Sequence, residues 1–419
     1  MKLLAKMMSR FVKVGELTLV GVDGTEHRFG PGGAPSATVR LHDPVLYRSL
    51  FLNPELKAGE AYMDGTLTVD GGIRRLLEVF AHNRDGLRKQ GHQKLLKRSL
   101  KRMRRFHQHN VRANAAKNVQ HHYDLSNDFY RMWLSDDLNY SCAYWPPGLA
   151  RDAEGVASAL GEAQQRKMAH IAAKLDVRPG MRVLDIGCGW GAMSCFLAEH
   201  CDAEVVGVTL SKEQLAVARE RAQGLSCDFR LADYRDLDES FDRVVSVGMF
   251  EHVGVAHYLD YFSKIGELMR EDGVALVHSI GRKGGPGTTG AWIRKYIFPG
   301  GYSPALSETF AEIEKAGLWV TDCEILRLHY AETLLAWDGN FQAVRERVVA
   351  MFDARFARMW EFYLIVSEFS FRYGKHMNFQ IQLTKTVDAL PVTRDYMQAR
   401  EARLLARLGL EPSPEAEVA

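Results

Sequence analysis

The sequence predicts an α/β chain: a doubly wound, mostly parallel sheet in its larger part, with a small α+β domain ahead of it. Three observations carry that expectation. Apolar runs of strand length alternate with helical patterns from residue 183 onward. The first of those runs ends in a glycine-rich turn, Asp185-Ile186-Gly187-Cys188-Gly189-Trp190-Gly191, and composition changes near residue 84, where a basic stretch begins. At 419 residues, 46% hydrophobic and 25% charged, the chain is long enough to bury two cores.

Residues 1–83 read as the small domain, with short strands around Leu17 and Val39, a Gly- and Pro-bearing loop over 30–37 and helical segments near Asp43 and Ile73. At the N-terminus Leu4, Met7, Met8, Phe11 and Val12 share one helical face. The pattern favours a helix packed on its own domain, with a helix lying on a membrane surface as the alternative. Lys6 and Arg10 interrupt the apolar positions, so no signal-peptide core forms, and no run of about 18 apolar residues predicts a membrane span.

From Arg84 to Arg105 ten of 22 residues are Lys or Arg against one acid, Asp85. Such a stretch suits an anionic surface or serves as a solvated linker. The net charge of +2 argues against nucleic acid as the partner of the whole chain. Six cysteines, at 142, 188, 195, 201, 227 and 323, include no Cys-x-x-Cys pair and fit a reducing cytoplasm. His107, His109, His121 and His122 lack further ligands at familiar spacing, so no metal site is expected.

Strands are predicted over 183–186, 203–210, 227–234, 241–250 and 273–280, separated by helices over 192–199, 212–223 and 257–270. Residues 320–328 and 379–385 supply a sixth and a seventh strand, and 341–373 is helical and dense in aromatics. The segment 281–303 is long enough for a lid or pocket wall. The tail after Leu410 is expected to be disordered.

Ligands of such sheets sit at the carboxyl ends of the strands, where Asp185, Thr209, Asp233 and Glu251 fall. The turn has its acid ahead of Gly187, Gly189 and Gly191, unlike the dinucleotide fingerprint Gly-x-Gly-x-x-Gly. It resembles the first motif of class I S-adenosylmethionine-dependent methyltransferases, a Rossmann-like fold with a seven-stranded, mostly parallel sheet. The acid those enzymes place after the second strand for the ribose is missing here. Thr209 and Gln214 either take its place or simply cap and solvate the next helix. Asp233 either accepts from the adenine amino group, with Tyr234 packing on the ring, or serves a surface turn.

Five further motifs narrow the resemblance: Tyr140-Ser141-Cys142-Ala143-Tyr144-Trp145, Val247-Gly248-Met249-Phe250-Glu251-His252-Val253-Gly254, Val277-His278-Ser279-Ile280-Gly281, Tyr296-Ile297-Phe298-Pro299-Gly300 and Tyr330-Ala331-Glu332-Thr333-Leu334. In that order they are similar to the cyclopropane-fatty-acyl-phospholipid synthases and, over residues 113–385, to the mycolic-acid cyclopropane synthases. The resemblance implies methylene transfer from S-adenosylmethionine to the cis double bond of an unsaturated phospholipid. It assigns Tyr140 and Ser141 to the cofactor, and a bicarbonate base to Cys142, Glu251, His278, Tyr330 and the backbone of Ile280. Taken singly, Cys142 also reads as a small buried hydrophobe and His278 as a satisfied core histidine.

The implied layout is a lipid-docking domain over 1–83, a basic linker over 84–112, a catalytic domain over 113–410 and a tail over 411–419. The implied setting is a cytoplasmic homodimer, peripheral on an anionic inner membrane face. Rivals are methyl-branching or exomethylene formation by the same fold, a lipid carrier with a vestigial cofactor site, and an RNA methyltransferase. The last lacks an Asn-Pro-Pro-Tyr-like motif after the fourth strand.

Overall fold

The structure, a computed structural model, describes residues 1–84, 125–149 and 159–410. The basic stretch beyond Arg84, the histidines at 107, 109, 121 and 122 and the tail 411–419 lie outside the described residues. The chain divides into two compact units.

The first unit joins the described part of Met1–Phe106 to two later segments, Thr288–Pro299 and Phe341–Lys375. Its sheet has the order β2-β1-β3-β4, with β1 at Gly15–Val20, β2 at Glu26–Gly32, β3 at Ser36–Leu41 and β4 at Leu67–Val69. The strands β2 and β3 take in most of the loop expected over 30–37, leaving 33–35 as the connection. Positive φ at Gly30, Gly32 and Gly33 lets the chain turn there without β-carbon clashes. The helix Lys2–Phe11 buries Leu4, Met7, Met8 and Phe11, and Phe11 meets Phe80 at 4.8 Å. Its apolar face is therefore spent inside the unit, and the membrane-lying alternative has no face left to use.

The later segments enter by packing that spacing alone does not reveal. Asn53 caps the helix Pro54–Asp64 through Leu56 N–H, and bare Gly59 in that helix lies against Trp292. A β-carbon there would come within 2.5 Å of the indole. Trp292 belongs to the helix Ala291–Tyr296, so the segment expected as a lid or wall carries a buried anchor. Asp353 caps the helix Ala354–Arg372 by accepting from Phe356 N–H.

The second unit is the doubly wound domain. Its sheet runs β10-β11-β9-β8-β5-β6-β7, from β5 (Arg182–Ile186), β6 (Glu204–Thr209), β7 (Cys227–Leu231), β8 (Phe241–Val247), β9 (Met269–Arg282), β10 (Trp319–Ile325) and β11 (His376–Thr384). Pairing is parallel from β9 through β8, β5 and β6 to β7, and antiparallel where β11 joins β9 and β10. One face packs on the helix Tyr258–Leu268, with Tyr261, Phe262 and Ile265 fully buried. The other packs on the helices Leu160–Lys174, Ala192–Cys201 and Asp395–Arg407. Chain order reverses beside β5, so the crevice beyond the carboxyl ends of β5 and β8 is where a ligand belongs.

Three strands stop three residues short of what periodicity predicts, the sixth at Ile325. The third ends at Leu231, because Asp233 caps a single 3-10 turn, Tyr234–Asp236. The fourth ends at Val247, because Gly248 takes φ 71° and Phe250–His252 forms another such turn.

Candidate active site

The glycine turn is pinned from below and open above. Gly187 and Cys188 N–H both donate to Val208 O at 3.0 Å, tying the turn to β6. All three glycines are left-handed, with φ of 81°, 55° and 84° at 187, 189 and 191. A β-carbon on Gly191 would lie 2.8 Å from the Phe229 ring and one on Gly187 3.0 Å from Met249. One on Gly189 would meet nothing within 4 Å. Two glycines thus serve packing, and the third borders open space. Asp185, 2% exposed, accepts from Ser194 Oγ at 2.7 Å, and burial pushes its carboxyl up to about 6.

Around the turn stand the residues expected to hold the nucleoside. Thr209 and Gln214 are both buried and bonded to each other, Thr209 Oγ1 donating to Gln214 Oε1 at 3.1 Å. Ser211 caps the helix Lys212–Arg221 by accepting from Gln214 N–H, so the cap belongs to Ser211 rather than Thr209. Asp233 lies two residues past its strand, bracketed by the Arg235 guanidinium. Tyr234 stands edge-on to Tyr261 at 5.8 Å.

The Tyr140–Trp145 segment is docked by its backbone. Thr333 Oγ1 accepts from Ala143 N–H and from Trp145 Nε1–H, both at 3.0 Å, and His329 Nδ1 accepts from Trp145 N–H at 2.8 Å. Both acceptors lie in the first turns of the helix His329–Ala343, which also carries Tyr330. Tyr140 packs in an aromatic cluster with Tyr130, Trp133 and Trp337, at 5.0–5.7 Å. Tyr330 meets Trp337 edge-on at 5.7 Å. The Cys142 thiol is buried and donates to Ala143 O, and burial drives its pKa far up, so it stays protonated. Ser141 Oγ accepts from Lys167 Nζ at 3.0 Å.

Glu251 carries the sharpest electrostatics of the site. Its Oε1 accepts from Ile280 N–H at 2.6 Å, and its Oε2 is buried with no hydrogen-bond partner among the described residues. Burial raises its carboxyl to about 7, against the lowering pull of the Ile280 and Glu251 N–H groups and the Ser279 hydroxyl. The Ile280 N–H expected to anchor an anion is thereby given to Glu251. His278 lies on β9 opposite Gln380 of β11, and its two ring nitrogens face Asn378 Nδ2 at 3.3 Å and Gln380 Nε2 at 3.2 Å. Burial lowers its pKa to about 3, so the ring is neutral and has one N–H. One of the two amides must therefore present its oxygen, which also answers the partnerless Asn378 Oδ1 or Gln380 Oε1.

The structure brings Glu251 together with Ile280, and Cys142 together with the Tyr330 helix through Thr333, while the His278 ring is committed to its neighbouring strand. Sequence reasoning missed Lys167, Thr333, His329 and the amides on β11. Thr333 lay inside a quoted motif. Lys167 gave no such signal, because it closes the polar run Gln164-Gln165-Arg166-Lys167 and reads as an ordinary exposed helix lysine. Among the described residues no group of three or more His, Cys, Asp or Glu is placed to hold a metal ion, and no helix is long and apolar enough to cross a membrane.

With that geometry in place, a family model described as mycolic acid cyclopropane synthetase matches residues 110–381. The chain belongs to that family. A domain of unknown function (DUF7884) matches residues 3–92. A probable fatty acid methyltransferase of Pseudomonas putida is 38% identical over 364 residues, 84% of this chain and 87% of the relative. The cyclopropane-fatty-acyl-phospholipid synthase of Escherichia coli K12 is 36% identical over 368 residues, 85% of this chain and 90% of the relative. Among solved structures, mycolic acid cyclopropane synthase CmaA1 complexed with SAH and CTAB is 34% identical, with a TM-score of 0.58 over 64% of this chain and 97% of that one. This cyclopropane synthase family member is an S-adenosylmethionine-dependent methyltransferase.

Proposed function

We propose that the enzyme transfers a methylene from S-adenosylmethionine across the cis double bond of an unsaturated phospholipid acyl chain, forming a cyclopropane ring. The observation that carries this reading is Glu251: a buried carboxylate beside the glycine turn with one oxygen held and the other unpartnered. Methyl transfer to an alkene leaves a carbocation, and ring closure then needs one proton removed from the new methyl group. A strong nucleophile in the site would be alkylated instead. The protonated thiol of Cys142 is a weak nucleophile, and the lone pair of the neutral His278 ring is taken up by an amide of β11, consistent with that need.

S-adenosylmethionine, when bound, supplies an electrophilic methyl group on a sulfonium. Gly189 leaves room for it, with Asp185, Gly187 and Gly191 shaping the turn and Tyr140, Ser141, Thr209, Gln214, Asp233 and Tyr234 as its proposed neighbours. Bicarbonate, when bound, would supply the base, with Glu251 and Tyr330 as its proposed holders; Cys142, His278 and the Ile280 backbone would join them only by giving up their bonds to Ala143 O, to the Asn378 and Gln380 amides and to Glu251. The free Glu251 Oε2 fits this group, because a carboxylate oxygen accepts a hydroxyl proton and so orients the anion. The faces of Tyr330 and Trp337 offer quadrupoles to the transient cation.

The same reading has a homodimer working from the cytoplasm on an anionic inner membrane face, supported by the ten cations between residues 84 and 105. Co-sedimentation with anionic against neutral vesicles, and mass measurement in solution, test those two points. The domain over 1–83 would dock lipid.

Expression in a host without such an enzyme, followed by lipid mass spectrometry, tests the reaction. A gain of one CH₂ with a ring signature supports it, and unchanged lipids overturn it. The relative named as a probable fatty acid methyltransferase favours a second reading, in which the same cation loses a chain proton to give a methyl-branched alkene, or undergoes a 1,2-hydride shift and then loses a methyl proton to give an exomethylene chain. The product's ring signature separates the two.

A further inference from the structure

We propose that Lys167 is a positioning residue of the methyl-transfer site, its ammonium holding Ser141, and with it the backbone that leads to Cys142, in cofactor-binding geometry. This rests on the reading above that Ser141 contacts S-adenosylmethionine. Lys167 lies midway along the helix Leu160–Lys174 and is 1% exposed. Its Nζ donates to Asn139 Oδ1 at 2.6 Å and to Ser141 Oγ at 3.0 Å. Both acceptors are neutral, and among the described residues the ammonium has no ion-pair partner. One turn earlier on the same helix, Gln164 Nε2 donates to Ser141 O at 3.1 Å, so Ser141 is held by side chain and carbonyl from a single helix face. Asn139 is braced in turn, its Nδ2 donating to Asp137 Oδ2 at 2.6 Å.

Lys174 on the same helix provides the contrast. It is equally buried, but its ammonium is paired with Asp322 and Glu324. Burying an ammonium is costly unless a counter-charge sits against it, which Lys174 has and Lys167 lacks. The charged and titratable groups that act on Lys167 are Asp137 and Cys142 from the segment it grips and Asp185 from β5. From β9, His278 lies within its field. Three of these belong to the proposed catalytic or cofactor set. The field of Lys167 thus reaches Asp185 below the glycine turn, Cys142 and His278 together. Burial brings its ammonium down to about 8, against the raising pull of Asp137, Cys142 and Asp185, so it titrates within reach of an activity profile.

The test uses the full chain, SAH calorimetry, and turnover on unsaturated phospholipid vesicles from about pH 6 to about pH 10. Lys167→Met is expected to raise KM for S-adenosylmethionine and weaken SAH binding by roughly tenfold or more, and to remove an alkaline limb near 8. In a Ser141→Ala background the same substitution is expected to add little to KM. KM and SAH affinity within twofold of the parent, or full additivity with Ser141→Ala, overturns the proposal. Lys174→Met serves as the structural control, with lowered Tm and unchanged KM. Should Lys167→Met not fold, Lys167→Gln keeps a donor and sheds the charge, and an unmoved alkaline limb in that variant overturns the proposal. If the parent enzyme leaves the vesicles unmodified, the substrate reading fails, while SAH calorimetry still decides the role of Lys167.

Discussion

Glu60 and Glu368 in the first unit and Asp185 and Glu251 in the second are all buried carboxylates, and their surroundings differ in kind. Glu60 accepts from Lys57 at 2.7 Å, Lys295 at 2.6 Å and Tyr296 at 2.9 Å. Burial alone would push its carboxyl up, but those bonds pull it down to about 2. Glu368 sits between Arg74 at 2.6 Å and Arg372 at 2.8 Å. In the second unit Asp185 has one serine hydroxyl, Glu251 has the close Ile280 N–H with only the Glu251 N–H and the Ser279 hydroxyl besides, and neither faces a cation at bonding distance, so burial raises them to about 6 and about 7. A carboxylate fully paired with cations holds segments of chain together. One left short of partners at the end of a strand keeps capacity for a ligand, at a cost in stability.

The largest effect that could break this contrast is expected from Glu251→Gln. If Oε2 waits for a ligand, turnover falls by at least about a hundredfold while SAH binding survives, read by steady-state kinetics and calorimetry. The same variant should stabilise the fold at alkaline pH. A carboxyl raised in the folded state from 4.5 to about 7 leaves stability intact below 4.5 and removes it as pH climbs through that window. The amide carries no charge, so Tm should stay level near pH 4 and rise at about pH 8, by an amount worth about 3 kcal/mol. Near-normal turnover, or a Tm lowered at both pH values, would make Glu251 one more structural acid.

How much of this was legible in the sequence follows from what the signals depend on. The seven-stranded sheet was readable because its strands are short apolar runs punctuated by glycine and separated by helices of ordinary length. Their ends were less readable: Asp233 and Gly248 stop two strands by capping and by positive φ, and neither breaks an apolar pattern. Glu251 was legible as an ionisable residue following a buried strand. The fate of His278 was not, because it depends on register, which places Asn378 and Gln380 beside its ring from a strand a hundred residues away. The discontinuous first unit was equally hidden. Its contacts, Gly59 on Trp292 and Glu60 with Lys295, join residues more than 200 positions apart that share no local pattern.

A second, smaller effect separates space kept open from space filled. Gly189→Ala introduces a β-carbon that touches nothing in the protein, at a φ of 55° that costs an alanine about 1 kcal/mol. The fold should survive with a modest drop in Tm, while SAH affinity falls by roughly ten- to a hundredfold. Gly191→Ala puts its β-carbon 2.8 Å from the Phe229 ring, so there the loss should appear first in Tm. If both variants lose stability equally and bind SAH alike, the turn is packing throughout and the open space at Gly189 has no occupant.

The smallest expected effect tests the paired side of the contrast. Glu60 has a carboxyl held at about 2 in the fold against 4.5 for the free group, so its stabilisation is present above 4.5 and is lost as pH falls towards 2. Lys295 and Lys57 are each about half exposed, with side-chain exposures of 54% and 43%, so solvent screens much of the attraction. Glu60→Gln should therefore cost only about 1 kcal/mol near neutral pH, less than the shift taken alone would give. It should also flatten the acid dependence of Tm between about pH 5 and about pH 2, and leave SAH affinity unchanged. An unchanged acid limb would mean that the lysines and Tyr296 hold this carboxylate no better than water does. Glu60 would then be merely buried, and pairing would no longer distinguish it from Glu251.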